Sequence, residues 1–447
     1  TVYFAGVIEL NKNITISGNE MNNIVFQNAT VWTDTRPKQK RYFNIPANTE
    51  VTLSHLTIKD NTANCGGGAI KSEGILALNN CTFSNNRAYD IGGAINSSGI
   101  LIINNCVFSN NYAPTQGGAL FCMGETYISN SIFEENTSSS GGAIVNNIAG
   151  IMTIDKCAFK QNRATERGAI YNSFGEEINI SNSVFFQNEA NNHGICGTAG
   201  NGTVTFTNCL FANNTMKTNY TTIIEVRGDY QLGAEGGFLT LINCTLADNT
   251  GGGIEFLWST VEVYNSILWN NSSEENHWYD VYESTSTVNP HIFNAYNSLI
   301  GTSNMDLTGN NNLIGEDPFF VDAENGNYTL QEESPAIDVG NNTYLLTGTT
   351  SDLLGNLRIS NSTVDLGAYE YQQEPISKVV VTTLSNGLNI YTQHRSIIIE
   401  NTTDPVSIYS ISGQCAAQGT GAGSYAVPAA GIYIVRVGSE ARKVIVP

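Results

Sequence analysis

Residues 92–111 read Gly-Gly-Ala-Ile-Asn-Ser-Ser-Gly-Ile-Leu-Ile-Ile-Asn-Asn-Cys-Val-Phe-Ser-Asn-Asn, and related stretches return along the chain about every 25 residues. Two phrases mark each return: Gly-Gly-Ala-Ile, and Asn-Cys/Ser-x-Phe-x-x-Asn. Successive phenylalanines of the second phrase are 25, 25, 26, 26 and 26 residues apart. Two motifs that share one period indicate one structural unit repeated in series. The phenylalanines are Phe83, Phe108, Phe133, Phe159, Phe185 and Phe211.

Each repeat contains short apolar runs of strand length. Ile100 and Ile102 alternate with Leu101 and Ile103, between stretches of Gly, Ser and Asn. Such runs are typical of strands, and no sustained 3.6-residue period indicates a helix. A unit this short buries its apolar side chains only by stacking on its neighbours. The sequence therefore predicts an all-β, right-handed parallel β-helix with one repeat per rung, its hand following the preference of parallel crossovers.

Equivalent residues of successive rungs are expected to stack into ladders. The phenylalanines belong inside, where rings stack along the helix axis. The Asn before each Cys or Ser fits a sharp bend, because Asn bonds its own backbone and tolerates left-handed geometry. Cys alternates with Ser in its slot, which predicts buried free thiols, with disulfides between neighbouring rungs as the alternative. The cysteines in this slot are Cys81, Cys106, Cys157, Cys209 and Cys244.

The composition narrows the classes of function. The 447 residues include 20 Lys and Arg against 40 Asp and Glu, a formal net charge of −20. Nucleic-acid binding needs clustered basic residues. The Lys and Arg residues of this chain are scattered, so no nucleic-acid partner is expected. No apolar run is long enough for a transmembrane helix. No cofactor is expected and no metal site is assigned, although so many carboxylates permit Ca²⁺.

The repeat loosens after Leu268 and the composition then changes. We assign residues 1–371 to the β-helix, with 272–371 as its irregular C-terminal part, and residues 372–378 to a linker. In residues 379–447, short alternating strands separated by turns predict a small Ig-like β-sandwich.

Three resemblances cover nearly the whole chain. The paired Gly-Gly-Ala-Ile and Phe-x-x-Asn phrases resemble the repeats of polymorphic outer-membrane proteins, which are β-helical proteins of bacterial surfaces. Residues 317–370, which begin Asp-Pro-Phe-Phe-Val-Asp, resemble the choice-of-anchor Q region of secreted bacterial proteins. The tail, with Ile-Ser-Gly-Gln at 411–414 and Gly-Ile-Tyr-Ile-Val-Arg at 431–436, resembles the type IX secretion sorting domain of Bacteroidetes. Together they imply a pectin-lyase-like solenoid exported by a secretion machinery that reads the C-terminal domain.

The first candidate site is the strand-like run Ile-Ile-Glu-Val-Arg-Gly-Asp at 223–229. In a strand, Glu225, Arg227 and Asp229 alternate onto one face. The repeat frame places Glu225 and Glu255 on adjacent rungs, where neighbouring carboxylates raise one pKa or recruit a cation. Polysaccharide lyases on β-helices use acidic Ca²⁺ ligands and a base, so these four residues are the candidate catalytic set. The alternative is a solvated outer strand whose arginine offsets its acidic neighbours.

The second candidate site is aromatic. Exposed aromatic rings stack on sugar rings, and many aromatic residues fall between residues 256 and 282. The alternative is that these rings cap the core where the helix changes its cross-section. The candidate glycan-binding residues are Trp258, Trp269, Trp278, Tyr279 and Tyr282.

Two functions of different classes remain open. The first is a non-catalytic secreted or outer-membrane surface protein that adheres to an extracellular polysaccharide or to a host surface glycan or protein. The second is a β-helix polysaccharide lyase or glycoside hydrolase that acts on an acidic polysaccharide. Binding specificity is expected where the repeat is broken, because loops on a rigid scaffold carry function.

Overall fold

The computed structural model describes residues 7–18, 24–27, 41–218, 222–228, 237–271, 279–283, 291–372, 388–393, 396–410, 413–428 and 431–446. The chain divides into two compact units, Thr1–Tyr371 and Gln372–Pro447. In the described parts of the chain, no helix is both long and apolar enough to cross a membrane.

The first unit is built from three long parallel sheets, which we call sheets I, II and III in the order in which one rung enters them. Each strand pairs with its equivalents one repeat earlier and one repeat later, as Phe108 pairs with Phe83 and Phe133. This register confirms the predicted parallel β-helix. Sheet I comprises Ile8–Glu9, Phe43–Ile45, Ile70–Ser72, Ile95–Ser97, Leu120–Cys122, Ile144–Asn147, Ile170–Ser173, Cys196–Ala199, Thr222–Arg227, Gly252–Leu257 and Val281–Glu283.

Sheets II and III complete each rung. Sheet II comprises Ile14–Ser17, Glu50–Ser54, Ile75–Asn79, Ile100–Asn104, Glu125–Ser129, Ile151–Asp155, Glu177–Ser181, Thr203–Thr207, Phe238–Ile242, Thr260–Tyr264 and Ile292–Tyr296. Sheet III comprises Ile24–Gln27, Leu56–Lys59, Thr82–Ser84, Val107–Ser109, Ile132–Glu134, Ala158–Lys160, Val184–Phe186, Leu210–Ala212, Thr245–Ala247, Ile267–Trp269, Leu299–Ile300 and Leu313–Ile314. Short strands between sheets III and I are Thr62–Ala63, Arg87–Ala88, Thr137–Ser140, Arg163–Glu166, Glu189–Asn192 and Thr215–Met216.

The predicted phenylalanine stack lies in the core. Neighbouring rings from Phe83 to Phe211 are parallel within 8°, and their centroids are 4.4–5.1 Å apart. This spacing matches the distance of about 4.8 Å between paired strands. The stack follows directly from the sequence, because a residue fixed in every rung must sit one strand spacing from its equivalents.

A second ladder runs beside the phenylalanines and consists of buried asparagines, the last residue of each Phe-x-x-Asn phrase. Each side-chain amide donates to the side-chain oxygen of the next rung, as Asn111 does to Asn136 at 3.0 Å, and to a backbone carbonyl of the rung before. The last asparagine, Asn271, donates to Asp280 at 2.8 Å. A carboxylate only accepts, so Asp280 ends the ladder. The asparagines are Asn86, Asn111, Asn136, Asn162, Asn188, Asn214, Asn249 and Asn271.

The corners use left-handed backbone, as predicted. The Asn before each Cys or Ser has a positive φ, for example 54° at Asn80 and 52° at Asn105. The first glycine of each Gly-Gly pair does too, with φ of 61° at Gly92, and a Cβ there would lie 2.2 Å from a backbone oxygen. All nine cysteines are free, which confirms the ladder of buried thiols.

Residues 317–371 cover the outer side of sheet III. Tyr328 packs in one apolar cluster with Leu210, and Leu330 packs in another with Ile267 and Leu299. The segment contains the hairpin Phe320–Asp322 and Asn327–Leu330, and the short 3₁₀ helices Ala323–Asn325 and Asn342–Tyr344. The sequence of these rungs therefore departs from the regular repeat partly because outward-facing residues of sheet III contact residues 317–371 and not solvent.

The covering segment is held by a buried ion pair. Arg358 donates to Glu370 at 3.1 Å and to the carbonyls of Asp365 and Gly367. Burial raises the pKa of Glu370 to about 7 and the pKa of Asp365 to about 6. Asp352 stabilises a turn of this segment, because its carboxylate accepts the backbone N–H of Leu354.

The second unit is a small antiparallel β-sandwich, as predicted. One sheet has the strand order Asn389–Gln393, Ser396–Glu400 and Gly423–Ala426. The other has the order Cys415–Thr420, Pro405–Ser410, Gly431–Val437 and Glu440–Val446. Their inner faces share one apolar cluster that includes Ile399, Ile408 and Val435.

Candidate functional site

The candidate site lies on the outer side of sheet I. One row of residues crosses this sheet in register, and it reads Tyr171, Gly197, Glu225, Glu255 and Tyr282 from rung to rung. The predicted pairing of Glu225 with Glu255 on adjacent rungs is thus present, with the strands about 4.8 Å apart. Earlier rungs of the same row carry buried apolar residues, Phe121 and Val145. After the apolar rungs from Phe121 to Tyr171, the row therefore becomes acidic at Glu225 and Glu255.

Two of the charged side chains occupy the slot of the first repeat glycine. Arg167 and His193 stand where the four preceding Gly-Gly repeats have glycine, and their φ angles are 57° and 62°. Left-handed backbone is unfavourable for residues with a Cβ, so the chain accepts strain at both positions. At Gly197 a Cβ would lie 3.0 Å from Arg167 Nε. The missing side chain at Gly197 thus leaves the space through which Arg167 reaches Glu225.

Glu225 is the centre of the cluster, and its side chain is 1% exposed. Its carboxylate oxygens lie 3.0 and 3.1 Å from His193 Nδ1, 2.5 Å from Arg227 Nε and 3.5 Å from Arg167 Nη2. Burial alone would raise the pKa of Glu225, but the hydrogen bond from His193 and the nearby positive charges outweigh it and lower this pKa. Glu225 is therefore ionised at neutral pH.

The ionised carboxylate fixes the tautomer of His193. A carboxylate can only accept, so His193 Nδ1 carries the proton that it donates to Glu225. In the neutral ring, Nε2 then carries the lone pair. Arg167 is held from the other side, with its guanidinium carbon 4.1 Å from the centre of the Tyr171 ring.

Exposure differs among the members of the cluster, and the Arg167 side chain is only 7% exposed. The side chains of Arg227 and His193 are 37% and 31% exposed, whereas Glu225 and Glu255 are 1% and 8% exposed. Burial raises the pKa of Glu255, whose nearest cation is Arg227 at 3.9 Å. Solvent therefore meets a guanidinium and an imidazole that are supported from below by carboxylates. We call these five residues, Arg167, His193, Glu225, Arg227 and Glu255, the charged face.

The sequence prediction was partly complete for this site. It named Glu225, Arg227 and Glu255, which the structure brings together, and Asp229, which lies outside the described residues. It missed Arg167 and His193, since they lie on earlier rungs. Their signal was a departure from the repeat, because both replace glycine in a slot that needs left-handed backbone.

The predicted aromatic residues are spread over several surfaces. Trp258 occupies a corner with φ of 52°, and Trp269 packs beneath residues of the 317–371 segment. Both are partly buried. Tyr279 and Tyr282 have parallel rings 6.4 Å apart, and Tyr282 pairs with Glu255 across sheet I. Trp278 lies outside the described residues.

The charged face holds no arrangement typical of a metal site. Among the residues that the structure describes, no group of three or more His, Cys, Asp or Glu could hold a metal ion. The carboxylates of the cluster are engaged by Arg and His side chains, and the two arginines supply the positive charge that a cation would otherwise bring.

Comparisons with known proteins give limited similarities. The model of the Chlamydia polymorphic membrane protein repeat matches residues 55–73, 80–98 and 105–123. No protein of curated function matches the sequence. Among solved structures, the crystal structure of pectate lyase Pel9A matches over 82% of this chain and 86% of its own, at 15% identity and a TM-score of 0.37. Similarity at this level says nothing about activity.

Proposed function

We propose that this protein is a secreted or outer-membrane surface protein whose β-helix binds an acidic glycan on the charged face. The observation that carries the proposal is the exposure pattern: Arg227 and His193 reach solvent, while the carboxylates that hold them are buried. The fixed guanidinium of Arg227 matches the carboxylate of a uronic acid, beside the imidazole of His193, since charge-assisted hydrogen bonds are the strong ones. The surface location is supported by the match to polymorphic membrane protein repeats.

The neighbouring tyrosines extend this surface. Tyr282 follows Glu255 in the same row of sheet I, and its ring is parallel to that of Tyr279. A sugar ring that stacks on an aromatic face buries its C–H groups, while its hydroxyls and carboxylate remain available to Arg227 and His193. Adhesion through such a glycan would need no catalytic step.

Calorimetric titration with hexagalacturonate tests the proposal. Replacing Arg227 with Ala removes the more exposed cation and is expected to weaken binding at least tenfold. The matched control is Arg163→Ala, which removes an exposed arginine of a neighbouring short sheet. Equal affinity of the parent protein and the Arg227 variant, or equal loss in both variants, would contradict the proposal.

A second candidate function, β-elimination, is favoured by the pairing of His193 with Glu225. With Nδ1 held by the carboxylate, Nε2 of the neutral imidazole can accept the proton from the carbon next to a uronate carboxylate, which Arg227 would pair. The electron pair of the C–H bond forms the new double bond as the glycosidic C–O bond breaks, and water protonates the leaving oxygen. Hydrolysis is less favoured, because two carboxylates must then reach the sugar and Glu225 is buried.

Product analysis separates elimination from binding. Elimination yields an unsaturated uronide that absorbs in the ultraviolet, whereas binding leaves the polymer intact. His193→Asn tolerates the left-handed backbone and removes the base, so it should abolish product formation while hexagalacturonate still binds through Arg227. Absence of unsaturated product from the parent protein on polygalacturonate, alginate and glycosaminoglycans would eliminate this candidate.

A further inference from the structure

A second candidate site lies on sheet II, whereas the charged face lies on sheet I. A groove of about 440 Å³ lies between the outer side of sheet II and residues 346–351 of the covering segment. Its floor includes Asp155, Lys156, Asn182 and Asn208. Binding sites for small ligands have volumes of about 300–1,000 Å³, so the groove has room for two or three sugar units.

The floor of the groove coincides with a substitution in the corner ladder. Lys156 stands in the slot that holds Asn80, Asn105, Asn130, Asn182 and Asn208 in neighbouring rungs, and it keeps the left-handed backbone with φ of 53°. Lysine is a less favourable residue than asparagine for this conformation. The long, positively charged side chain of Lys156 therefore lies at the edge of the groove, and its backbone conformation there is energetically unfavourable.

The polar groups of the floor are arranged by fixed hydrogen bonds. Asp155 Oδ1 accepts from Ser181 Oγ and from Asn182 Nδ2, both at 2.7 Å. Asn208 donates to Asn182 at 3.2 Å and to the backbone carbonyl of Ser351 at 2.9 Å, which attaches the wall to the floor. The side-chain oxygen of Asn208 has no hydrogen-bond donor in the described chain. The floor is therefore held in place by its own hydrogen bonds and by its bond to the wall.

We propose that this groove binds a neutral oligosaccharide, at a site separate from the charged face. Its lining is rich in Ser, Thr and Asn, with one acidic and one basic side chain, and such groups donate to and accept from sugar hydroxyls. Because one carboxylate accompanies the single cationic side chain, the lining has no excess of positive charge that would attract an acidic polymer. Lys156 donates to a ring or hydroxyl oxygen, and Asp155 accepts from a hydroxyl.

Titration with neutral hexasaccharides tests the proposal, using cellohexaose, maltohexaose and mannohexaose, with hexagalacturonate as the acidic comparison. At least one neutral sugar is expected to bind, and Lys156→Ala should weaken that binding at least fivefold. Lys160→Ala is the matched control, because this exposed lysine lies on sheet III of the same rung. Arg227→Ala should leave neutral-sugar binding unchanged, so failure of the charged face and failure of the groove are distinguishable.

Acetylation of lysines by a small reagent gives a second readout on the full-length protein. The bound sugar should slow acetylation of Lys156 and leave Lys160 unaffected. The proposal is overturned if none of the three neutral sugars binds at millimolar concentration, if Lys156 is not protected, or if the Lys156 and Lys160 variants bind the sugar equally.

Discussion

Single positions show where this chain departs from its own repeat. Arg167 and His193 replace a glycine whose φ is positive, and both then contact Glu225. Strain of about 1–2 kcal/mol at such a position persists only if the surroundings or the function maintain it. The interruption of the repeat is therefore informative about function in a way that its regular part is not.

Restoring the repeat glycine at one of these positions should separate function from stability. In His193→Gly, relief of backbone strain offsets the lost hydrogen bond to Glu225, so the free energy of unfolding should change by less than about 1 kcal/mol. Binding of an acidic hexasaccharide should nevertheless weaken, because the exposed imidazole beside Arg227 is lost. Urea unfolding and titration of the same sample measure both effects. A large loss of stability would show that His193 is primarily structural.

The phenylalanine stack makes a contrasting prediction. Phe133 is fully buried between Phe108 and Phe159, with ring centroids 4.9 and 5.1 Å away. Replacing it with Ala removes both contacts and leaves a cavity, which should cost about 3–5 kcal/mol. The thermal midpoint should fall accordingly, whereas replacement of the exposed Tyr127 on sheet II should leave it nearly unchanged. An unaltered midpoint in the Phe133 variant would contradict the observed packing.

At the scale of elements, the sequence predicted the ladders but not their ends. A regular period specifies what stacks on what, so the phenylalanine stack, the corner asparagines and the pairing of Glu225 with Glu255 were all predictable. Asp280 was not, because it lies nine residues after Asn271 and outside the period. The packing of residues 317–371 on sheet III was also unpredictable, since such contacts join parts of the chain with no shared pattern.

The carboxylate that ends the ladder should make stability depend on pH. Burial raises the pKa of Asp280 from 3.8 to about 6, which corresponds to about 3 kcal/mol. Because the pKa is higher in the folded state, the contribution is fully present below about pH 4 and is lost as pH rises through 6. Thermal midpoints from pH 4 to 8 should therefore fall less steeply in Asp280→Asn than in the parent. Identical slopes would contradict this assignment.

At the scale of the whole molecule, we expect the C-terminal β-sandwich to act in export. This expectation rests on the resemblance of residues 379–447 to sorting domains and on the division of the chain after Tyr371. A chain that ends at residue 378 should keep the thermal transition of the β-helix, because the two units have separate apolar cores. In the native host it should accumulate inside the cell envelope, as detected by surface labelling. Normal surface exposure of the truncated chain would exclude a sorting role.

The overall charge should affect the rate at which an acidic glycan associates. A net charge of −20 repels such a ligand at long range, although the charged face attracts it on contact. Raising the ionic strength from 10 to 150 mM shortens the Debye length from about 30 Å to about 8 Å. The association rate of hexagalacturonate should therefore rise with salt, while that of a neutral hexasaccharide stays constant. A rate that falls with salt would show that local attraction dominates.

The one-way order of the buried asparagines has an electrical consequence. Each side-chain amide points its N–H toward the next rung and its oxygen toward the previous one, so the amide dipoles add along the axis. The column therefore has a positive end, as an α-helix has at its N-terminus, and the carboxylate of Asp280 occupies that end. The two ends of the asparagine column therefore carry opposite partial charges. A rung with its amide reversed would oppose the field of all the others.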